Sequence, residues 1–268
     1  MKKSNNILNN VFINTSLFIL TFPLLTLIIW SFTNSWPWPN IIPKEYSLRG
    51  FEFLFTMDNL RALNTSIMLS LIISFISVII SIPAGKAFGL YDFKGKKFFE
   101  LLILAPIIVP TISVAMGIHI VFIQIGIANT ILGVVLVNLL PCIPYAVRIL
   151  SDVYEIVGDK LEMQAKVLGA NSINTFIYIT LPLIAPGIIS AASMCFIISF
   201  GQYFLTFLIG GGSVITYPML MFPYIQSGDR TIASLYSIVF LLVSLVVLII
   251  VESSIKKYYK TNNKTFFI

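Results

Sequence analysis

Few side chains in this sequence have the type and spacing needed for chemistry. His119 is the single histidine, flanked by Ile118 and Ile120. No second ligand stands at metal-binding spacing from it, and no H-E-x-x-H occurs. No aspartate lies within an apolar run, and no serine is patterned with the histidine, so an intramembrane hydrolase is not indicated. His119 reads as a neutral packing residue, or else as part of a solute path. Cys142 and Cys195 sit inside apolar runs, also without ligand spacing, and read as small packing residues rather than a disulfide. Gly210, Gly211 and Gly212 follow no strand signal and precede no Gly-Lys-Ser, and no G-x-x-x-x-G-K-[ST] occurs elsewhere. The chain is therefore read as a non-enzyme without cofactor or metal. Any energy it uses comes from a partner or from a gradient.

The informative segment is mechanical in character. Between two apolar runs lies KLEMQAKVLGANSINTFIYITLPLIAPG, residues 160–187. Asp159 and Glu162 form a D-x-x-E pair, which predicts an N-cap with a reciprocal partner. The helix is expected from about Lys160 to Leu168, with Leu161, Ala165 and Leu168 as one apolar stripe. Lys166 falls near its C-terminal end, where positive charge is favoured. Gly169 permits the left-handed turn that closes a helix. Asn171 can cap a second short helix through Ile173 and Phe176. On pattern alone the segment is either an amphipathic helix lying at the membrane interface or a seat for another protein.

The surrounding composition is that of an integral membrane protein. Hydrophobic residues make up 57% and charged residues 10%, and the mean hydropathy is +0.95. Soluble domains carry roughly a quarter charged residues. The net charge of +6 does not point to nucleic acid, because the charges cluster at the ends of apolar runs. Six runs are long enough to cross a bilayer, near 11–33, 65–90, 99–124, 129–150, 177–208 and 233–251. The fifth is overlong and interrupted by Pro182 and Pro186, which predicts a kink or an interfacial start. The first is too long for a signal peptide and lacks an A-x-A site, so a retained anchor helix is expected.

With the N-terminus inside, thirteen of the seventeen Lys and Arg fall on inside segments. The positive-inside rule thus places both termini and the 151–176 loop in the cytoplasm. Trp30, Trp36 and Trp38 suit an interfacial aromatic belt, with contact to an extracellular protein as the alternative. Ionisable residues are absent from the span middles apart from His119, unlike a gradient-driven carrier. Lys86 and Glu100 are placed near helix ends, where a lysine can snorkel. Asn138, Ser193, Ser199 and Gln202 are the polar residues best placed for a translocation path. Interhelical hydrogen bonding is the equal alternative for each.

Gly169, followed by Ile179, Leu181 and Pro182, resembles the E-A-A-x-x-x-G and I-x-L-P pattern of permease subunits of type I (binding-protein-dependent) ABC importers. Further similarity lies in Asn64-Thr65-Ser66, in IPAGKAFGLYDFKGKK, in Pro106, Pro110 and Gly117, and in Pro144, Tyr145 and Arg148. SFGQYFLTFLIGGG and TYPMLMF are most like the spermidine/putrescine-type branch. The resemblance implies an all-α membrane fold of six transmembrane helices with both termini cytoplasmic. It divides the chain into an anchor helix and first extracellular loop (1–60), a permease core (61–252) with the coupling loop at 151–176, and a basic tail (253–268). It implies ATPase docking through Leu161, Glu162, Ala165, Leu168, Gly169 and Ala170, with Leu181 and Pro182 at the loop-to-helix junction. The implied partners are an ABC ATPase dimer, a second permease subunit and an extracellular substrate-binding protein, in a bacterial cytoplasmic membrane. The implied cargo is a polyamine or a related small solute, and the rival reading is a gradient-driven carrier or channel subunit. One departure stands out: Met163 and Gln164 replace the first two residues of E-A-A, while Glu162 lies one position earlier, about 100° around the helix.

Overall fold

The computed structural model describes residues 2–35, 43 and 45–262. Trp36 and Trp38 lie outside the described residues. Within them the fold is helical apart from one small antiparallel ribbon, β1 (Thr33–Ser35) against β2 (Glu45–Tyr46), with Thr33 opposite Tyr46. The helices are α1 (Lys2–Ser31), α2 (Arg49–Leu54), α3 (Met57–Leu90), α4 (Lys96–Ile108), α5 (Thr111–Gln124) and α6 (Ile131–Val157). They continue with α7 (Lys160–Val167), α8 (Ser172–Thr175), α9 (Leu181–Phe200), α10 (Phe204–Gly210), α11 (Tyr217–Ser227) and α12 (Arg230–Asn262).

Among the described residues, five helical stretches are long and apolar enough to cross a membrane: Phe12–Ser31, Met57–Leu90, Ile131–Val157, Ser172–Phe200 and Arg230–Ser254. The third expected run, 99–124, is two helices, α4 and α5, bent by 97°. The physical reason is Pro110. Its ring excludes the helical conformation at Val109, which is extended at φ −79° and ψ 137°. The fifth run also divides, with α9 ending at Phe200 and α10 starting at Phe204.

Contacts divide the chain into two units. One comprises residues up to Arg61 together with Leu220–Val243. It is tied by polar bonds at its apolar helix ends. Thr231 Oγ1 donates to the Thr33 carbonyl (2.9 Å), and Arg49 pairs with Asp229 at 3.1 Å. The Tyr236 hydroxyl donates to Asn59 Oδ1 (2.5 Å) beneath the stacked ring of Tyr224. Trp30, expected in an aromatic belt, lies under the Arg230 guanidinium, 5.4 Å from ring centre.

The other unit, Ala62–Met219 with residues from Ser244 onward, is built on α6 packed against α9. Its core includes Val137, Cys142, Ala146 and Leu150 of α6, Ala191 and Cys195 of α9, and Leu205 and Ile209 of α10. The two cysteines are free and buried, and each thiol lies 3.5 Å from the other's carbonyl oxygen. They pack as small residues at the helix crossing, as their apolar settings suggest.

Lipid gives helices little hydrophobic reason to associate, so close packing and buried hydrogen bonds must do so. Here α3 supplies both. Ser66, Ser70, Ser74, Ser77 and Ser81 recur at helical spacing and are all buried. Ser74 Oγ donates to the Ala192 carbonyl at 2.6 Å, joining α3 to α9. Further along the same helix, Gly85 and Gly89 let the α6 backbone approach. A Cβ on Gly89 would stand 2.5 Å from the Ser151 carbonyl oxygen and 2.8 Å from Tyr154 Cβ. Gly89→Ala should therefore lower stability by about 1–3 kcal/mol. Gly117→Ala, in a helical site with no neighbour within 4 Å, should be neutral or stabilising by up to about 1 kcal/mol. Thermal unfolding of the two variants in detergent checks this contrast.

Candidate functional site

The polar segment forms a helix–turn–helix whose inner and outer faces differ in chemistry. α7 starts at Lys160, as its pattern predicts, but the expected capping pair does not form. Asp159 makes no side-chain cap bond, and Glu162 turns inward. Lys86 Nζ lies 2.5 Å from Glu162 Oε2, and Thr180 Oγ1 donates to Oε1 at 2.6 Å. A charged donor and a buried hydroxyl hold the carboxylate more strongly than an exposed helix end could. Glu162 is only 7% exposed. Burial pushes its carboxyl up, but the hydrogen bonds from Lys86 and Thr180 and the charges of Lys86 and Lys166 outweigh this. The net effect holds it below its ordinary value of 4.5.

This inward turn determines what faces out. Successive helix residues are about 100° apart, so burying Glu162 and Ala165 brings Met163 to the surface. Met163 is 56% exposed, and Val167 and Leu168 are each 87% exposed. The expected stripe of Leu161, Ala165 and Leu168 thus splits. Ala165 packs inward, while Leu161 and Leu168 join an exposed apolar face that Ile173 continues.

The turn is as the glycine predicts. Gly169 has φ +87°. Its N–H donates to the Lys166 carbonyl, and the Ala170 N–H donates to the Ala165 carbonyl, both at 3.0 Å. These two bonds make a Schellman closure with Ala170 just past the glycine. Asn171 then caps α8, its Oδ1 accepting from the Asn174 N–H at 2.7 Å.

The second arm differs from a free-standing short helix. α8 runs through a π-helical turn, Phe176–Thr180, directly into α9. Leu181 and Pro182 occupy the first turn of α9, where a proline is tolerated. Pro182 has no N–H to offer the Tyr178 carbonyl, and the widened turn lies immediately before it. The segment and the span are one rod, Ser172–Phe200.

The polar residues of the spans are not gathered at one place. Asn138 and Ser199 line the same small cavity with Ser66, Ser70, Thr206 and Thr216. Asn138 Nδ2 donates to the Val134 carbonyl (2.8 Å) and to Thr206 Oγ1 (3.2 Å), joining α6 to α10, while its Oδ1 is buried and has no partner among the described residues. Ser193 bonds back to the Ile189 carbonyl of its own helix. Gln202 stands in the break between α9 and α10. Among the described residues no cluster of three metal-ligating side chains occurs, and His119 is half-buried on α5. Sequence reasoning did not find the roles of Lys86 and Thr180 or the serine face of α3. A lone lysine in a long apolar helix, and serines at intervals of three and four, were the available signals.

The class of protein is a polytopic helical membrane protein in which a polar helix–turn–helix continues directly into a membrane-length span. The chain belongs to the family described as binding-protein-dependent transport system inner membrane component, which matches residues 77–258, more than half of its length. It is 30% identical over 135 residues to the molybdate/tungstate transport system permease protein WtpB of Pyrococcus abyssi, a match covering 50% of this chain and 54% of that one. It is 29% identical over 183 residues to the arabinooligosaccharides transport system permease protein AraQ of Halalkalibacterium halodurans, covering 65% of each. It is 25% identical over 228 residues to the putrescine transport system permease protein PotI of Escherichia coli K12, covering 77% of this chain and 75% of that one. The chain thus spans about half the length of the first of these relatives. Its fold matches a chain of a bacterial ABC transporter that imports the acidic polysaccharide alginate. The TM-score is 0.70 at 14% identity, over 96% of this chain and 97% of that one. The fold is accordingly that of an ABC importer permease.

The Glu162 bonds carry a pH signature. A carboxyl whose value is lowered on folding adds stability above its ordinary value and loses it as pH falls through the lowered one. Wild type should therefore exceed Glu162→Gln in protection of the 160–175 amides above the carboxyl's ordinary value, with the difference closing as pH falls below that value and through the lowered one. Hydrogen exchange of the two proteins across that range measures it.

Proposed function

We propose that this chain is the transmembrane permease subunit of an ATP-driven importer of the type I ABC class. It forms half of a translocation path and couples to ATP hydrolysed on a separate subunit. The observation that carries this reading is the α7–turn–α8 segment, which exposes an apolar face and continues without a joint into α9. A short apolar helix seated in a groove is a recurring protein contact. The continuous rod gives any displacement of that contact a direct route into the bilayer. The excess of Lys and Arg on this side supports a cytoplasmic position for the segment and both termini, where an ATPase dimer would bind.

A second permease subunit is supported by the α4–α5 corner. Ile108, Val109, Pro110 and Thr111 are exposed in this chain, yet a broken helix is tolerated at membrane depth only against protein or water. A paired subunit would cover this corner and complete the path, for which Asn138, Ser193, Ser199 and Gln202 are the polar candidates. Asn138 and Ser199 have the strongest support, since they share a cavity. An extracellular binding protein would deliver the cargo. A structural neighbour is a bacterial alginate ABC transporter in complex with a pentasaccharide-bound periplasmic protein.

The cargo we favour is a polyamine or related small solute, because the similarity to the putrescine permease runs over 77% of this chain. A metal oxyanion is the second reading, favoured by the higher identity to the molybdate/tungstate permease. Ligand binding to the co-encoded binding protein decides between them.

The docking reading is tested by co-expression with the neighbouring ATPase and purification in mild detergent. Leu168→Asp and Val167→Asp should each reduce the retained ATPase at least about tenfold, as expected for a central apolar anchor. Gly169→Val should do the same by straining the turn, with little change in membrane insertion. Wild-type retention and uptake in all three would refute the docking role.

A further inference from the structure

We propose that Lys86, Glu162 and Thr180 form an internal strut that transmits movement of the docking segment to α3 as well as α9, without touching the ATPase; this rests on the docking reading above. The geometry joins three elements at one carboxylate. Glu162 belongs to α7, Lys86 to α3, and Thr180 to the π-helical turn that begins the α9 rod. Both carboxylate oxygens are engaged, Oε2 by Lys86 at 2.5 Å and Oε1 by Thr180 at 2.6 Å.

The α9 rod is joined covalently to the docking segment, so it would follow any displacement without help. α3 is not: Lys86 and Glu162 are 76 residues apart in sequence. Among the described residues this is the salt bridge that links α3 to α7. It lies at the end of the helix whose serine face packs into the bundle, with Ser74 bonded to α9. A push on α7 thus reaches α3 through a charged joint whose carboxylate is buried and whose lysine is partly exposed, where a hydrogen-bonded ion pair resists stretching more than a fully exposed pair does.

Burial separates this role from docking. A side chain 7% exposed and bonded at both oxygens offers a partner nothing. The face available to a partner carries Met163, Val167 and Leu168. The inner joint is polar and stiff, the outer grip apolar. The residues that bind the motor and the residues that carry its motion are therefore different, and mutations can separate them.

The test uses the whole transporter in nanodiscs: this chain, the co-encoded permease and the ATPase, with the co-encoded binding protein added as purified. Two quantities are measured, the ATPase retained per permease and the stimulation of ATP hydrolysis by the binding protein. Glu162→Gln and Lys86→Met should retain far more ATPase than Leu168→Asp, while stimulation per retained ATPase falls roughly tenfold, within the usual range of coupling between sites. The exchange variant Lys86→Glu/Glu162→Lys should regain most of the stimulation, which a residue needed only for packing would not permit. Full stimulation in both single variants overturns the strut, and so does an exchange variant that stays uncoupled. Loss of ATPase from Glu162→Gln equal to that from Leu168→Asp also overturns it, since Glu162 would then be a contact residue. Should the single variants fail to accumulate, Thr180→Val keeps the ion pair and removes one donor. Partial loss of stimulation in that variant supports the strut, and unchanged stimulation overturns it. A wild-type complex that retains no ATPase defeats the docking reading itself, and the strut with it.

Discussion

A carboxylate removed from water must be met by a cation or by hydrogen-bond donors, and at Glu162 both are present. Much of the segment's organisation follows from that one requirement. Because Glu162 points inward, Ala165, one turn on, packs inward with it, and Met163, Val167 and Leu168 are left outside. Because Thr180 is the second donor, the π-helical turn is held close to α7 rather than splayed away. Because Lys86 is the first, a lysine that could have snorkelled to the interface has a partner within the protein. Position 163 faces outward and holds a methionine. With the neighbouring carboxylate committed inward, the outward position can be apolar.

Away from this junction the bundle is organised by size. Its crossings use serine, glycine, alanine and cysteine, residues that let backbones come together where lipid offers no hydrophobic drive. The α3–α6 approach at Gly85 and Gly89 leaves no room for a methyl group. The Cys142–Cys195 crossing sets two thiols against two carbonyl groups. Asn138 spans α6 and α10 by hydrogen bonding, so one side chain both holds helices together and lines a polar cavity.

The helical membrane class, most of the spans and the glycine turn were legible because they rest on local signals. Apolar run length, a lone glycine and an asparagine cap require no knowledge of the rest of the chain. The orientation of Glu162 was not legible. Its D-x-x-E spacing from Asp159 is a valid local signal, but a lysine 76 positions earlier in the chain overrides it. The corner at Pro110 was missed for a related reason. The residues around it are apolar throughout, and a hydropathy run does not register that Val109 must leave the helical conformation. The serine face of α3 was overlooked because serine scarcely lowers the hydropathy of the run that contains it.

α1 presents the opposite extreme. None of the apolar window between Phe12 and Ser31 is buried in protein, whereas more than half of the α6 window is. In this chain, side chains of the first kind are judged by partitioning alone, and those of the second by shape. Tolerance of substitution should consequently be graded along the chain. Exchanges among leucine, isoleucine and phenylalanine would drift freely in α1, while in α6 a single methylene gained or lost would be felt.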